Sequence, residues 1–192
     1  MLDAKLLEAY MRSFFGYGNL AADVWFVGME EGGGSSAREI AQRLLRWQEL
    51  GGGTVVDNAR FHAGVEDASG ESYSYFFSGR CKIQPTWAGL IRILLAVQGQ
   101  TDDSAEAVRR TQATGWGRTG SENCLLELLP LPSPGVNRWH YDAWTDLPVL
   151  QSREAYRSCL IGPRVRSLRD LVETQQPRSV VFYSVSTEYM QR

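Results

Sequence analysis

Three short apolar runs constrain this chain more than anything else in it: VWFV at Val24–Val27, LLELL at Leu125–Leu129 and VVFYSV at Val180–Val185. Unbroken apolar runs of this length, bounded by turn residues, suit strands covered on both faces. Segments of helical periodicity separate them. Asp3 can cap a helix carrying Leu6, Leu7, Tyr10, Met11, Phe14 and Phe15. Ser36 and Glu39 have capping-box spacing and open a helix through Ile40, Ala41, Leu44 and Leu45. Pro85 starts another, with Trp87, Leu90, Ile91, Leu94 and Leu95 on one face. Asp103 to about Ala113 reads as a short exposed helix. A helix from about Ser152 to Cys159 is expected to break at Gly162–Pro163, and another to run from Val165 to Val172. GYGN at Gly16–Asn19 reads as a break, and Gly51 to Arg80 as a long polar surface excursion. Strands alternating with helices predict parallel pairing. The expected fold is therefore α/β: a three-layer sandwich with a central, mostly parallel sheet and helices on both faces. No internal boundary is visible, so residues 1–192 read as a single domain.

Ligands in such sheets bind at the carboxyl ends of the strands. The first apolar run ends there in GMEEGGG, Gly28 to Gly34. Neither a dinucleotide fingerprint nor a Walker loop is present: the G-x-G-x-x-G spacing is missing and no Lys-Ser/Thr follows. Two carboxylates would also repel a bound phosphate. Glu30 and Glu31 are then either solvated loop residues or the charged groups of a site. Glu127 interrupts an apolar strand, and a buried carboxylate without a partner is costly. It is either a satisfied structural residue or one that reaches a ligand at the strand's end.

The net charge of −2 excludes a protein that holds nucleic acid by bulk charge, though not a local basic patch. No apolar run is long enough to span a bilayer. Cys81, Cys124 and Cys159 are scattered and odd in number, which argues for reduced thiols and a cytoplasmic setting. His62 and His140 show no metal-ligand spacing, so no metal and no cofactor are expected.

Four stretches, in this order, resemble the uracil-DNA glycosylase superfamily. VWFVGMEEGG resembles the first strand and catalytic loop, and QPTWAGLIRIL the start of the next conserved helix. LLELLPLPSPGVNR is similar to the strand and loop of the iron–sulfur branch. REAYRSCLIGPRVRSLRDLVETQQPRSVVFYSVSTEYM resembles that branch's run of Glu, Cys, helix, Pro and strand. Together they cover roughly half of the chain. The resemblance implies a four-stranded parallel sheet and a DNA base-excision activity, cleaving the N-glycosidic bond of a flipped base. Glu30 falls where family members position the attacking water, and Glu31 replaces the usual Pro; these are the expected catalytic residues. Gly28 matches the leading Gly, and with Met29 and Glu127 forms the expected base-binding set. Glu127 stands where members hold an Asn. An ionised Glu only accepts hydrogen bonds, so it would favour a base edge that donates them. Arg138 and Ser133 are the expected phosphate contacts, and Phe61, Tyr73, Tyr75, Phe76, Phe77, Trp116 and Trp139 the candidate stacking surfaces.

Departures from the family are equally specific. Cys159 matches one cluster-ligand position, but Leu131 stands near another and the N-terminal Cys pair is absent, so no iron–sulfur cluster is expected. The His-Pro-Ser loop after a fourth strand is missing, and Ser184 stands where the family usually has Gly. Either the domain is incomplete at its C-terminus, or this is a relative without ordinary uracil excision. The partner implied is DNA, single-stranded or carrying a damaged base. A catalytically silent relative would instead bind nucleic acid or a protein, and an unrelated α/β protein would hold a small molecule at the same edge.

Overall fold

The computed structural model describes residues 1–135 and 137–183. The order of elements is α1 (Ala4–Ser13), β1 (Gly16–Gly18), β2 (Val24–Gly28), α2 (Ala37–Glu49), β3 (Val55–Val56), α3 (Asn58–His62), α4 (Pro85–Val97), α5 (Ala105–Thr114), β4 (Asn123–Glu127), α6 (Arg153–Gln175) and β5 (Ser179–Phe182). Five strands form one sheet in the order β3-β1-β4-β2-β5. The three apolar runs are mutually parallel: β4 and β5 flank β2, with Gly28 beside Glu127 in register. The expected extension of β5 to Val185, and the turn at Ser184, lie outside the described residues.

Alternation along the strands divides the core. Trp25, Val27, Cys124 and Leu126 face Leu168 of α6, with Leu171 and Val172 packed at the edge. Val24, Phe26 and Leu125 face the larger cluster built from α1, α2, α4 and α5. Helices thus cover both faces, and the α/β sandwich is observed.

Several elements differ from expectation. GYGN is no simple break, because Gly16–Gly18 pairs antiparallel with β4 and parallel with β3, giving a mixed five-stranded sheet. Gly16 has φ +150°, and a Cβ there would lie 2.0 Å from the Leu125 carbonyl oxygen, so only glycine lets this strand approach. Residues 51–80 are not a surface excursion: they contribute β3, α3 and a 3-10 turn at Tyr73–Phe77, and bury Val56, Asn58, Phe61, His62 and Val65. The helix α5 is not wholly exposed, since Ala107, Val108, Gln112 and Ala113 are buried. The strand β5 lies at the sheet's edge and is half-buried rather than buried on both faces.

The two helices expected after Ser152 are one, running through Pro163. An interior proline costs about 3 kcal/mol. Packing around it offsets that cost. Tyr156 and Leu168 are buried, and Arg164, 3% exposed, donates to the carbonyls of Leu128, Glu127 and Phe14 at 2.8 Å each. A break at Pro163 would detach those contacts.

Candidate functional site

The loops leaving β2 and β4 continue side by side beyond the sheet. Leu128 donates to Gly28, Leu129 to Met29 and Ser133 to Glu31, all main chain to main chain. The glycines let the first loop fold tightly. Gly34, at φ +70°, lies against Pro132, where a Cβ would be 2.5 Å from the carbonyl oxygen. Glu39 fixes this loop by accepting from the Gly34 and Ser35 amides at 2.9 and 3.0 Å. A cavity of about 320 Å³ opens above the strand ends, lined by the Met29–Gly32 segment, Arg43, His62, Tyr73, Phe76, Gln84, Thr86, Trp87, Glu127 and Tyr183.

Neighbours in sequence, Glu30 and Glu31 meet different partners. Glu31 accepts from Tyr17 Oη at 2.7 Å and from Arg43 Nη1 at 3.0 Å, and faces His62 Nε2 at 3.0 Å. These partners come from β1, α2 and α3. Burial alone would raise this carboxyl's pKa, but Arg43, His62 and Tyr17 more than reverse the effect and lower it to about 2. Arg43 is itself buried, between Glu31 and Glu39, with its Nε 3.1 Å from Glu39. Glu30 pairs instead with Arg153, whose Nη1 also donates to Ser133 Oγ at 2.9 Å. Its Oε2 is buried without a hydrogen-bond partner among the described residues.

Glu127 is the last residue of β4. Its Oε1 accepts from Tyr183 Oη at 2.9 Å, and its Oε2 is buried without a partner among the described residues. Burial dominates here. It outweighs the Tyr183 hydrogen bond and, with the negative fields of Glu31 and Glu30, pushes the carboxyl up to about 8. Gly28 provides the room: a Cβ would sit 2.4 Å from Glu127 Oε2 and 2.7 Å from the Tyr183 ring. The expectation that Glu127 only accepts hydrogen bonds therefore changes, because a protonated carboxyl also donates.

An aromatic wall closes the opposite side. Phe76 and Trp87 stand 5.5 Å apart at 57°, and Tyr73 joins them. Gln112 of α5 holds this segment from beneath. Its amide donates to the carbonyls of Phe76 and Lys82 at 2.9 and 3.0 Å and accepts from the Gln84 N–H at 2.9 Å.

The expected residues are thus partly assembled. Met29, Glu30, Glu31 and Glu127 line one cavity, with Gly28 beneath Glu127. Ser133 and Arg138 do not line it. The Ser133 hydroxyl is engaged with Gly135, Arg138 and Arg153 inside its own loop, and Arg138 is exposed. Of the stacking candidates, Tyr73 and Phe76 line the cavity, Phe61 and Trp116 lie in the core, and Trp139 packs on Tyr141 and Tyr156. Sequence reasoning missed Tyr17, Arg43, His62, Trp87 and Tyr183. No spacing links them, although an Arg in an otherwise amphipathic α2 and a His within a short apolar stretch are signals of buried ion pairing.

Among the described residues, no group of three or more His, Cys, Asp or Glu is arranged to hold a metal ion, and no helix is long and apolar enough to cross a membrane. No protein-family model, curated protein or solved structure matches the chain.

Proposed function

We propose that this protein is an N-glycosidic-bond hydrolase that takes a flipped-out base of DNA into the cavity at the ends of β2 and β4. One observation carries the reading: three glutamates converge there in different electrostatic settings, opposite an aromatic wall. Cleavage of such a bond leaves an oxocarbenium-like sugar, which a fixed anion stabilises. Glu31, ionised and held by Arg43, Tyr17 and His62, is that anion. Glu30 offers an unpartnered buried oxygen to position the attacking water. Tyr73, Phe76 and Trp87 supply faces for the extruded base. The likeness in motif order to uracil-DNA glycosylases supports the same reading, as does the place of the site at the carboxyl ends of parallel strands.

The test is base release from single-stranded oligonucleotides carrying uracil, hypoxanthine, xanthine or oxidised pyrimidines. Replacing Glu30 with Gln keeps its size and removes its charge. Loss of a positioned general base costs about 100- to 10,000-fold in rate, or roughly 3–5 kcal/mol at 1.36 kcal/mol per tenfold. Binding of the oligonucleotide should change little. Equal rates for Glu30→Gln and wild type would remove Glu30 from the mechanism.

The ion pair between Glu30 and Arg153 favours a second reading, a catalytically silent relative that binds nucleic acid or a protein partner. Binding of the oligonucleotides without release of any base would decide for it.

A further inference from the structure

We propose that Glu127 is a general acid whose proton, placed on Oε2 by Tyr183, passes to the departing base, so that the substrates are purines carrying a basic ring nitrogen. This rests on the glycosidase reading above and adds the acid and the base class to it.

The assignment comes from counting partners. Among the described residues, the basic side chains that reach the cavity are engaged elsewhere. Arg43 binds Glu31 and Glu39, His62 faces Glu31, and Arg153 binds Glu30 and Ser133. Arg164 of α6 approaches Glu127 but takes only its main-chain carbonyl. The Glu127 carboxyl therefore meets Tyr183 of β5, stands in the raising fields of Glu30 and Glu31 from the β2 loop and the smaller, lowering field of Arg164 from α6, and has no cation hydrogen-bonded to it among the described residues. A buried carboxyl so placed is stable as the neutral acid, in keeping with its upward shift to about 8. The Tyr183 hydroxyl fills Oε1, which leaves the acid proton on Oε2. That oxygen is buried and unpartnered in the wall of the cavity, in space that exists because residue 28 has no Cβ.

The reaction balances with these groups. The proton on Glu127 Oε2 moves to a ring nitrogen of the base, and the C1′–N bond breaks with its electron pair going to the base. The water oxygen bonds to C1′ and its proton goes to the Glu30 carboxylate. Exchange with solvent restores the Glu127 proton. Purines offer N7 as the basic nitrogen, whereas uracil-type rings have none and depart as anions.

The experiment compares hypoxanthine with 7-methylguanine, whose ring is already cationic and needs no proton. Release of each from single-stranded oligonucleotides is followed for the full chain, Glu127→Gln and Tyr183→Phe, from about pH 6 to about pH 9. The infrared band of a protonated carboxyl is read in parallel. We expect Glu127→Gln to lose about 100-fold or more on hypoxanthine, the lower end of general-acid catalysis, and at least about ten times less on 7-methylguanine. The hypoxanthine rate should fall above about pH 8, and Tyr183→Phe should displace that limb. The band should be present at neutral pH and absent in Glu127→Gln. Equal losses on both bases, or an ionised Glu127 at neutral pH in an enzyme that releases them, would overturn the acid assignment alone. A protein that releases uracil or an oxidised pyrimidine but neither of these purines would overturn this inference alone, and one that releases no base at all would overturn the glycosidase reading, and this inference with it.

Discussion

Arg43→Met tests how the candidate site is held together. Methionine keeps the apolar stem of a side chain that is 2% exposed and removes the guanidinium from between Glu31 and Glu39. Two buried carboxylates then lose their shared cation. Removing one partner of a buried pair costs about 3–5 kcal/mol. The pKa of Glu31 gives a separate figure. Its fall from 4.5 to about 2 is worth about 3 kcal/mol at 1.36 kcal/mol per pH unit, and Arg43 is the largest contributor to that lowering. The sign follows from linkage. A carboxyl with a depressed folded pKa adds stability that is full above its unfolded pKa and is lost as pH falls through the folded one. The deficit of Arg43→Met should thus be largest at neutral pH and should shrink between about pH 4 and pH 2, to under half by about pH 3. Thermal unfolding followed by circular dichroism reads it as a fall of roughly 6–20 °C at pH 7 for a chain of this size. Adding Glu31→Gln should return part of the loss, since the two residues interact directly. A deficit under about 1 kcal/mol, or one of the same size at pH 7 and pH 3, would refute the reasoning.

Gly28→Ala places a methyl 2.4 Å from Glu127 Oε2 and 2.7 Å from the Tyr183 ring. Denaturant unfolding should show a loss of about 1–3 kcal/mol, the usual cost of overpacking, relieved in part by Glu127→Ala on the same background. Glu127→Gln should change the pH dependence of stability in the opposite sense to Arg43→Met. Because the folded pKa is raised from 4.5 to about 8, wild-type stability falls as pH rises across that window. The advantage of the Gln variant should grow through it to no more than about 5 kcal/mol, and a gap independent of pH between about pH 5 and pH 8 would contradict the buried neutral acid.

The parallel strands and the helices of both layers were legible because each carries its own signal. Val24–Val27 is apolar throughout, Ser36 caps α2 by accepting from the Glu39 N–H while the Glu39 carboxylate reaches back to the Gly34 and Ser35 amides, and Pro85 opens α4. What stayed hidden depends on tertiary contact. Gly16–Gly18 has no apolar side chain beyond Tyr17, so its pairing with β4 leaves no periodic trace. Pro163 reads as a helix break from local propensity, and Arg164, binding four carbonyls across 36 to 153 residues of chain, overrides it. Residues 51–80 look polar because their buried content is Asn58 and His62 as much as Phe61. In the site, the carboxylates announced themselves as misfits at strand ends. Their partners did not, because Tyr17, Arg43 and His62 reach Glu31 across 14, 12 and 31 positions.

The partners of each glutamate follow from which helix reaches it. The helix α2 brings Arg43 to Glu31, and α6 brings Arg153 to Glu30 by its first residue and Arg164 to the Glu127 main chain. The position of Arg164 is decisive. A guanidinium one turn out of place along α6 could have met the Glu127 carboxyl and held it ionised. Bound instead to four main-chain carbonyls, it fixes the end of β4 and leaves Tyr183 as the hydrogen-bond donor to the carboxyl. One element thus fixes the placement of Glu127 without pairing its carboxyl, which is why the unbroken passage of α6 through Pro163 bears on the proposed chemistry as well as on the fold. Two carboxyls of opposite charge state at adjacent strand ends are what acid-assisted cleavage with a stabilised cation requires.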